Sequence, residues 1–416
     1  MQDLPELGQA PLKRDRVVDS PVAGFSAGAA ATGIRKDGRI DLALIAGDAA
    51  YPAAAVFTKN RLAAAPVQIA RRHAAGGRIR AVLANSGGAN AATGTEGLDA
   101  CLVTCQAAAQ ALNCSADEIL PCSTGVIGQL LPATKIADAL PGLAANLSPQ
   151  GLSQAAGAIM TTDAFKKMAK AEVVIHDRPV TVVGLAKGAG MIHPDMATML
   201  AFVLTDAAAS APALKKALNI AADLSFNRAS VDGDTSTNDT LLLWASGKAG
   251  NPELQPDDPE LAVLTAAVGK VCQELAAMLV ADGEGAGHLI RVVVTGAESD
   301  DAAKHTAFAI AHSPLCKTAF AGRDPNWGRF LSTAGAEAAR RGLGFSEEKC
   351  NLWIGEALIS ESGVYTSAQA EEEAAQVMKQ ARYQIRLDLG LGQGQFWVLT
   401  SDLDHKYIEI NAEYRS

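Results

Sequence analysis

The run Met199–Leu204, MLAFVL, contains no polar residue and is too short for an ordinary helix. It reads as a strand buried on both faces, and a chain that contains it must supply a covering layer on each side. RIRAVLAN (78–85) and HLIRVVVTG (288–296) read as further strands, the first followed by the turn SGGANAATG (86–94). Three Ala-rich helices are expected in the first half: one near Gly97–Leu112, one announced by the capping-box spacing of Ser115 and Glu118, and one opened by Ser148-Pro149 and ending near Thr161. EVVIHDRPVTVVGLAKG (172–188) reads as a hairpin that turns at His176-Asp177-Arg178-Pro179. Beyond Asp258-Pro259, the residues Leu261, Leu264, Val268, Val271, Leu275 and Met278 form one apolar helical stripe that stops at Asp282-Gly283. The last third alternates strands with an Ala/Glu helix at 368–381. This alternation is α/β grammar, and taken alone it also admits a doubly wound sheet.

A chain of 416 residues exceeds one ordinary hydrophobic core, so two lobes are expected, the smaller beginning at about Arg323. The formal charge of -9 offers no basic field to a phosphate backbone, which argues against a nucleic-acid partner. The opening MQDLPELGQAPLKRDRV alternates polar and charged residues where a signal peptide needs an apolar run, and no later segment reads as a membrane span. A cytoplasmic protein is expected, with no membrane partner. The seven cysteines are odd in number and scattered, which favours reduced thiols over a disulfide framework. Cys101 and Cys105 share a helical face but lack a second ligand pair, so they read as small buried residues and no structural metal is expected.

Three segments have residue types that suit chemistry. In KGAGMIHPDMATMLAFVLTDA (187–207), a glycine turn and an irregular stretch lead to Ala197-Thr198 at the mouth of the apolar run. Were the Ala197–Thr198 bond cut, Thr198 would carry a hydroxyl and its own α-amine, and an amine with a reference pKa near ~8 can take the hydroxyl proton without a histidine. An ordinary threonine at the start of a strand is the plainer reading. CSTGVIGQ (122–129) pairs a hydroxyl with a backbone N–H as an oxyanion hole does, or is a simple turn. Glu284 in DGEGAG (282–287) is either a helix-end turn residue or a substrate contact. SVDGDTSTNDT (230–240) alternates oxygen ligands, yet Thr237 and Leu243 stand where a calcium loop needs glycine and glutamate, so it reads as a polar loop with Asx-type turns lining a cleft. GLAKGAG lacks the spacing of a nucleotide-binding loop.

Taken together, AAVFTKNR (54–61), NSGGANAATG (85–94), STGVIG (123–128), the KGAGMIHPDMATMLAF block, VDGDTSTNDT (231–240), DGEGAG, GRDPNWGR (322–329) and the closing INAEYRS resemble the ornithine acetyltransferase family, also called bifunctional glutamate N-acetyltransferase, of cyclic arginine biosynthesis. The resemblance implies a layered α-β-β-α sandwich like that of N-terminal-nucleophile enzymes, with a smaller C-terminal α/β lobe. It also implies self-cleavage between Ala197 and Thr198, giving an α chain of 1–197 and a β chain of 198–416 that assemble as α2β2. Thr198 would be the nucleophile that carries acetyl from N-acetylornithine to glutamate, with Thr124 and Gly125 as the oxyanion hole. Substrate contacts would fall on Thr161 or its neighbour Thr162, Lys187, Thr198, Glu284, Asn411 and Ser416. No cofactor is implied, and acetyl-CoA as a second acetyl donor stays open. Gly88, Ala92, Gly287 and His288 depart from the family pattern, and His288 reads as a structural histidine. Two other readings remain: a threonine-nucleophile aminopeptidase or amidase that gives the acyl group to water, and a noncatalytic amino-acid-binding homologue.

Overall fold

The computed structural model describes residues 15, 17, 18, 20–193 and 199–413. Its first elements are β1 (Phe25–Ala30), β2 (Leu42–Phe57), α1 (Ala65–Ala74), β3 (Arg78–Gly88), α2 (Gly94–Leu112), β4 (Ile119–Val126), α3 (Ala133–Ala145) and α4 (Leu152–Ala158). There follow β5 (Lys167–Ile175), β6 (Arg178–Lys187), β7 (Leu200–Thr205), α5 (Ala211–Asp223), β8 (Ala229–Ser230), β9 (Thr240–Ala245) and α6 (Leu261–Ala281). The rest comprises β10 (Leu289–Ala297), α7 (Asp300–His312), α8 (Pro314–Gly322), α9 (Trp327–Arg341), β11 (Asn351–Ile354), β12 (Ala357–Glu361), β13 (Val364–Tyr365), α10 (Ala368–Met378), β14 (Arg382–Asp388), β15 (Gly394–Ser401) and α11 (His405–Glu413).

Among the described residues, the larger compact unit comprises the chain from Asp15 to Asn227 together with Asp234–Leu279. Its strands run in the order β4-β3-β2-β9-β7-β6-β5, with β1 paired to β2. The long strand β2 serves two sheets: Leu42–Ala46 pair with β3 while Ala53–Phe57 pair with β9, and the register shifts between them. The two halves then face each other. Ala43, Ile45, Val82 and Leu120 from one side share a core with Val183, Leu185, Phe202, Leu242 and Trp244 from the other. The opposite face of the first half, Leu42, Leu44, Leu83 and Ile119, packs on Cys105, Ala108, Ile136 and Leu140 of α2 and α3. On the far side, a Cβ built at Gly184 of β6 would lie 2.5 Å from Val271 of α6, so this glycine is what lets helix and strand approach. The result is helices, sheet, sheet, helices: the layered α-β-β-α class expected from the resemblance.

Met199–Leu204 is buried throughout, as a strand between two layers requires. The hairpin β5–β6 turns on two residues, His176 (φ 47°) and Asp177 (φ 59°), with Ile175 opposite Arg178. Positive φ at both positions matches the twist of the flanking strands. Two expected helices differ. Ser115 does open a turn whose Glu118 carboxylate accepts from the Ser115 N–H at 3.1 Å, but the turn spans only Ala116–Glu118 before strand β4 begins. Pro121 is compatible with that strand because β4 lies at the sheet edge, whereas inside a helix it would remove a hydrogen bond. Ser148 instead exchanges two backbone hydrogen bonds with Ala27 at 2.9 Å, so α4 starts only at Leu152, and it ends at Ala158 rather than Thr161. Contrary to the sequence reading, α6 is long and apolar enough to cross a membrane. Its Leu264, Val268, Val271 and Leu275 are fully buried against protein, as in a core helix.

Among the described residues, the smaller unit comprises Arg228–Gly233 and Val280–Glu413. Its sheet runs β13-β12-β11-β14-β10-β15-β8. Ile290, Val292 and Val294 of β10 pack with Ala303, Ala307 and Ile310 of α7 and Phe330 of α9. Arg323, the expected start of the lobe, is instead a left-handed cap between α8 and α9, across which Phe320 and Phe330 stack at 5.6 Å. The unit begins earlier because β10 and α7 belong to this same core. All seven cysteines are free thiols, with Cys101 and Cys105 buried among apolar side chains.

Candidate active site

In the larger unit, NSGG (85–88) of β3 runs parallel to STG (123–125) of β4, with Ser86 opposite Thr124 and Gly87 opposite Gly125. Gly125 has φ +130°, and a Cβ there would lie 2.5 Å from the Gly87 carbonyl carbon, so only glycine fits. The Ser123 hydroxyl donates to Asn85 Oδ1 at 2.6 Å, and Asn85 Nδ2 donates to the Gly88 carbonyl at 3.0 Å. These bonds fix the strand ends that present buried Thr124 and half-buried Gly125.

A second group surrounds Lys187 at the end of β6, opposite Leu200 of β7. Lys187 Nζ donates to Thr161 Oγ1 at 3.3 Å, so of the two adjacent threonines the Thr161 hydroxyl meets the lysine. One carboxylate organises this corner. Asp163 accepts from Lys167 Nζ at 2.7 Å, the Gly188 N–H at 2.6 Å and the Thr161 N–H at 2.9 Å. Burial alone would raise its pKa, but the charges of Lys167 and Lys187 together with the hydrogen bonds from Lys167 and the Thr161 N–H outweigh burial and hold the carboxyl well below the usual range. Two ammonium groups near one carboxylate leave a local positive excess, which suits an acidic ligand.

The two groups meet through the segment Thr237-Asn238-Asp239. Asn238 Nδ2 donates to the Ser123 carbonyl at 2.9 Å and to the Ala89 carbonyl at 2.7 Å. The next residue, Asp239, accepts the Met199 N–H at 3.0 Å, while the Met199 carbonyl accepts from the Thr240 N–H at 3.0 Å. Consecutive side chains therefore grip the residue before Thr124 and the residue after Thr198. The stretch is the polar loop expected, and its end is buried, with Asp239 fully inaccessible and Ser236, Thr237 and Asn238 nearly so. Ala197 and Thr198 themselves, and Ser416, lie outside the described residues.

In the smaller unit, Asn411 Nδ2 donates to Glu284 Oε2 at 2.7 Å, which brings two of the expected substrate contacts together. Gly285 is left-handed, and a Cβ there would lie 2.7 Å from the Tyr407 nitrogen, so the DGEGAG turn sits tightly on the start of α11. Asp402 fixes the other side of that turn by accepting from the Gly287 and His288 N–H groups at 2.8 and 3.1 Å and pairing with His288 Nδ1 at 2.7 Å. The buried His288 thus has a structural partner. None of Asn85, Asp163, Lys167 and Asp239 was singled out from the sequence, and Asn238 only as one oxygen of the polar loop 230–240. The one available signal was that so many short polar residues lie next to apolar strands.

Fold and site define a layered α/β protein in which a buried strand opens beside a threonine–glycine strand end and a lysine corner. The ArgJ family model matches residues 26–416. The relative "Arginine biosynthesis bifunctional protein ArgJ" from Methylococcus capsulatus is 46% identical over 396 residues, covering 95% of this chain and 96% of its own. The protein of the same name from Mesorhizobium japonicum is 42% identical over 412 residues, covering 98% and 99%. The chain belongs to the ArgJ family. Among solved structures, the bifunctional protein ArgJ of Bacillus halodurans is similar at 38% identity over 51% of this chain and 98% of that one, with a TM-score of 0.48. Ornithine acetyltransferase from Mycobacterium tuberculosis, complexed with ornithine, is similar at 38% identity over 44% and 95%, with a TM-score of 0.39.

Proposed function

We propose that this chain is a cytoplasmic glutamate N-acetyltransferase of arginine biosynthesis, which cuts itself between Ala197 and Thr198 and then moves acetyl from N-acetylornithine to glutamate. The observation that carries this reading is the double grip of Asn238 on Ser123 and Asp239 on Met199. It ties the segment that bears Thr124 and Gly125 to the strand that begins beside Thr198, as an acyl-transfer site needs. Family membership and the arginine-biosynthesis names of the relatives support it further.

In the first step the Thr198 hydroxyl attacks the Ala197 carbonyl, and the resulting ester is hydrolysed, leaving Thr198 with a free α-amine. That amine then serves as base while the hydroxyl attacks the acetyl carbonyl of N-acetylornithine. Thr124 and Gly125 donate to the developing oxyanion, ornithine leaves, and the acetyl ester on Thr198 is taken up by the amine of glutamate. Lys187 pairs with a substrate carboxylate and Glu284 with an ammonium group, while Thr161 and Asn411 orient these two charges. The α and β chains stay together as α2β2. The cycle as written needs no cofactor, and acetyl-CoA would enter only as another source of acetyl.

Intact mass spectrometry of the purified protein tests the first half. Chains of 1–197 and 198–416 are expected, and Thr198→Ala should remain one inactive polypeptide; processing of that variant at the normal rate would defeat the reading. The second half is tested by supplying N-acetylornithine with glutamate. Acetylglutamate is the expected product, acetate alone would mark an aminopeptidase- or amidase-like hydrolase, and binding without turnover would mark a noncatalytic homologue. Replacing N-acetylornithine by acetyl-CoA decides whether the enzyme is bifunctional.

A further inference from the structure

Lys317 of α8 has no part in the mechanism above, yet it is only 3% exposed. An ammonium group taken out of water is costly unless its protons find acceptors. Burial pulls its pKa down to about 8, against the charges of Asp402 and Asp232, which raise it. The acceptors come from one short stretch at the end of β15. Nζ donates to Thr400 Oγ1 at 3.1 Å, to the Ser401 carbonyl, and to Ser401 Oγ at 3.5 Å. The Lys317 main-chain carbonyl accepts the Leu403 N–H at 3.2 Å, so one residue grips both sides of Asp402. Asp402 in turn holds the Gly287 and His288 N–H groups at one end of the DGEGAG turn. At the other end, a Cβ built at Gly283 would lie 3.3 Å from Ser401 Oγ. Both ends of the turn that carries Glu284 therefore rest on residues that Lys317 anchors. Beyond Leu403 the chain enters α11, whose Asn411 donates to Glu284 at 2.7 Å.

We infer that Lys317 is a positioning residue for substrate: by fixing Ser401 and Asp402 it holds Glu284 and Asn411 where they meet the side-chain ammonium of N-acetylornithine. This role rests on the proposed function, in which Glu284 pairs with an ammonium group. Methionine would fill the same space without the cost of burying a charge, so packing alone does not call for a lysine here. What methionine cannot do is draw the Ser401 carbonyl and the Thr400 hydroxyl to one point.

Steady-state kinetics of the purified enzyme tests this in a double-mutant cycle of Lys317→Met and Glu284→Gln. Lys317→Met alone should raise KM for N-acetylornithine about 10- to 100-fold at nearly unchanged kcat, because a misplaced contact binds substrate and transition state less well alike. Beside Glu284→Gln, the same substitution should change KM by less than about twofold, since the contact it positions is already gone. Equal losses in both backgrounds, or a fall in kcat with KM preserved, would mean general damage to the unit and overturn the inference while leaving the proposed function standing. If Glu284→Gln itself leaves KM for N-acetylornithine at the wild-type value, the assignment of Glu284 fails and this role with it. Wild type without transfer activity would sink the proposed function as a whole. Should Lys317→Met not fold, Thr400→Val replaces it in the cycle, removing one acceptor of the ammonium while keeping the lysine. A KM rise that vanishes beside Glu284→Gln supports the role; no rise, or an additive one, rejects it.

Discussion

Thr124 and Gly125 differ in how far their roles could be read from the sequence. STG is compatible with any exposed turn; what makes Gly125 irreplaceable is the 2.5 Å approach of its missing Cβ to the Gly87 carbonyl carbon, a contact between strands distant in sequence. If Thr124 donates to the oxyanion, Thr124→Ala should lower kcat for acetylglutamate formation by about 10²–10³-fold while KM for glutamate changes little. A large KM effect with kcat preserved would place Thr124 in ground-state binding instead. Lys187 was expected at the site from the family resemblance, which its charge suits. Its surroundings were not legible, because the Asp163 side chain that bonds Thr161 and Lys167 nearby also holds the Gly188 N–H from another part of the chain, a contact no local pattern encodes.

At the scale of elements, periodicity served well wherever one face or both were apolar. The α6 stripe and the buried strand β7 are formed by the residues expected. Capping signals were weaker guides, since Ser115 opens only a single turn and Ser148 pairs with Ala27 instead of starting a helix. A cap residue states that a turn can begin, whereas tertiary pairing decides how long it lasts. The β5–β6 turn shows the reverse, with two side-chain-bearing residues held at positive φ by the hairpin register. A left-handed residue with a Cβ costs about 1–2 kcal/mol relative to glycine. Asp177→Gly should therefore raise stability by about 1 kcal/mol, read as a higher denaturant midpoint with an unchanged slope, and a lowered midpoint would show that Asp177 makes a contact worth more than the strain.

For the whole chain, length foretold two lobes but not their boundary, because no linker marks it and the smaller core recruits β8 from well upstream. Global unfolding also reports on the buried Asp163–Lys167 pair, both of whose side chains are fully inaccessible. Asp163→Asn leaves Lys167 charged and buried, at a cost of about 3–5 kcal/mol. Since the folded-state pKa of Asp163 is depressed, its contribution is full above the unfolded value near ~3.9 and is lost as pH falls toward the folded value. The gap between wild type and Asp163→Asn in urea unfolding should be widest at pH above about 5 and narrow in stronger acid; a gap independent of pH would contradict the assignment. Asp239 has the opposite sign, because a raised pKa makes its folded form hold a proton that the unfolded form releases as pH rises. The sequence by itself determined which runs would be buried, where the β5–β6 hairpin turns, and that a threonine stands at the mouth of an apolar strand, because these follow from local composition and spacing. Only the tertiary structure decided that Asn238 would hold Ser123, that Asp239 would hold Met199 and that Asp163 would hold Gly188, since hydrogen-bond partners far apart in the chain are selected by packing and burial, and periodicity specifies a face without naming what meets it.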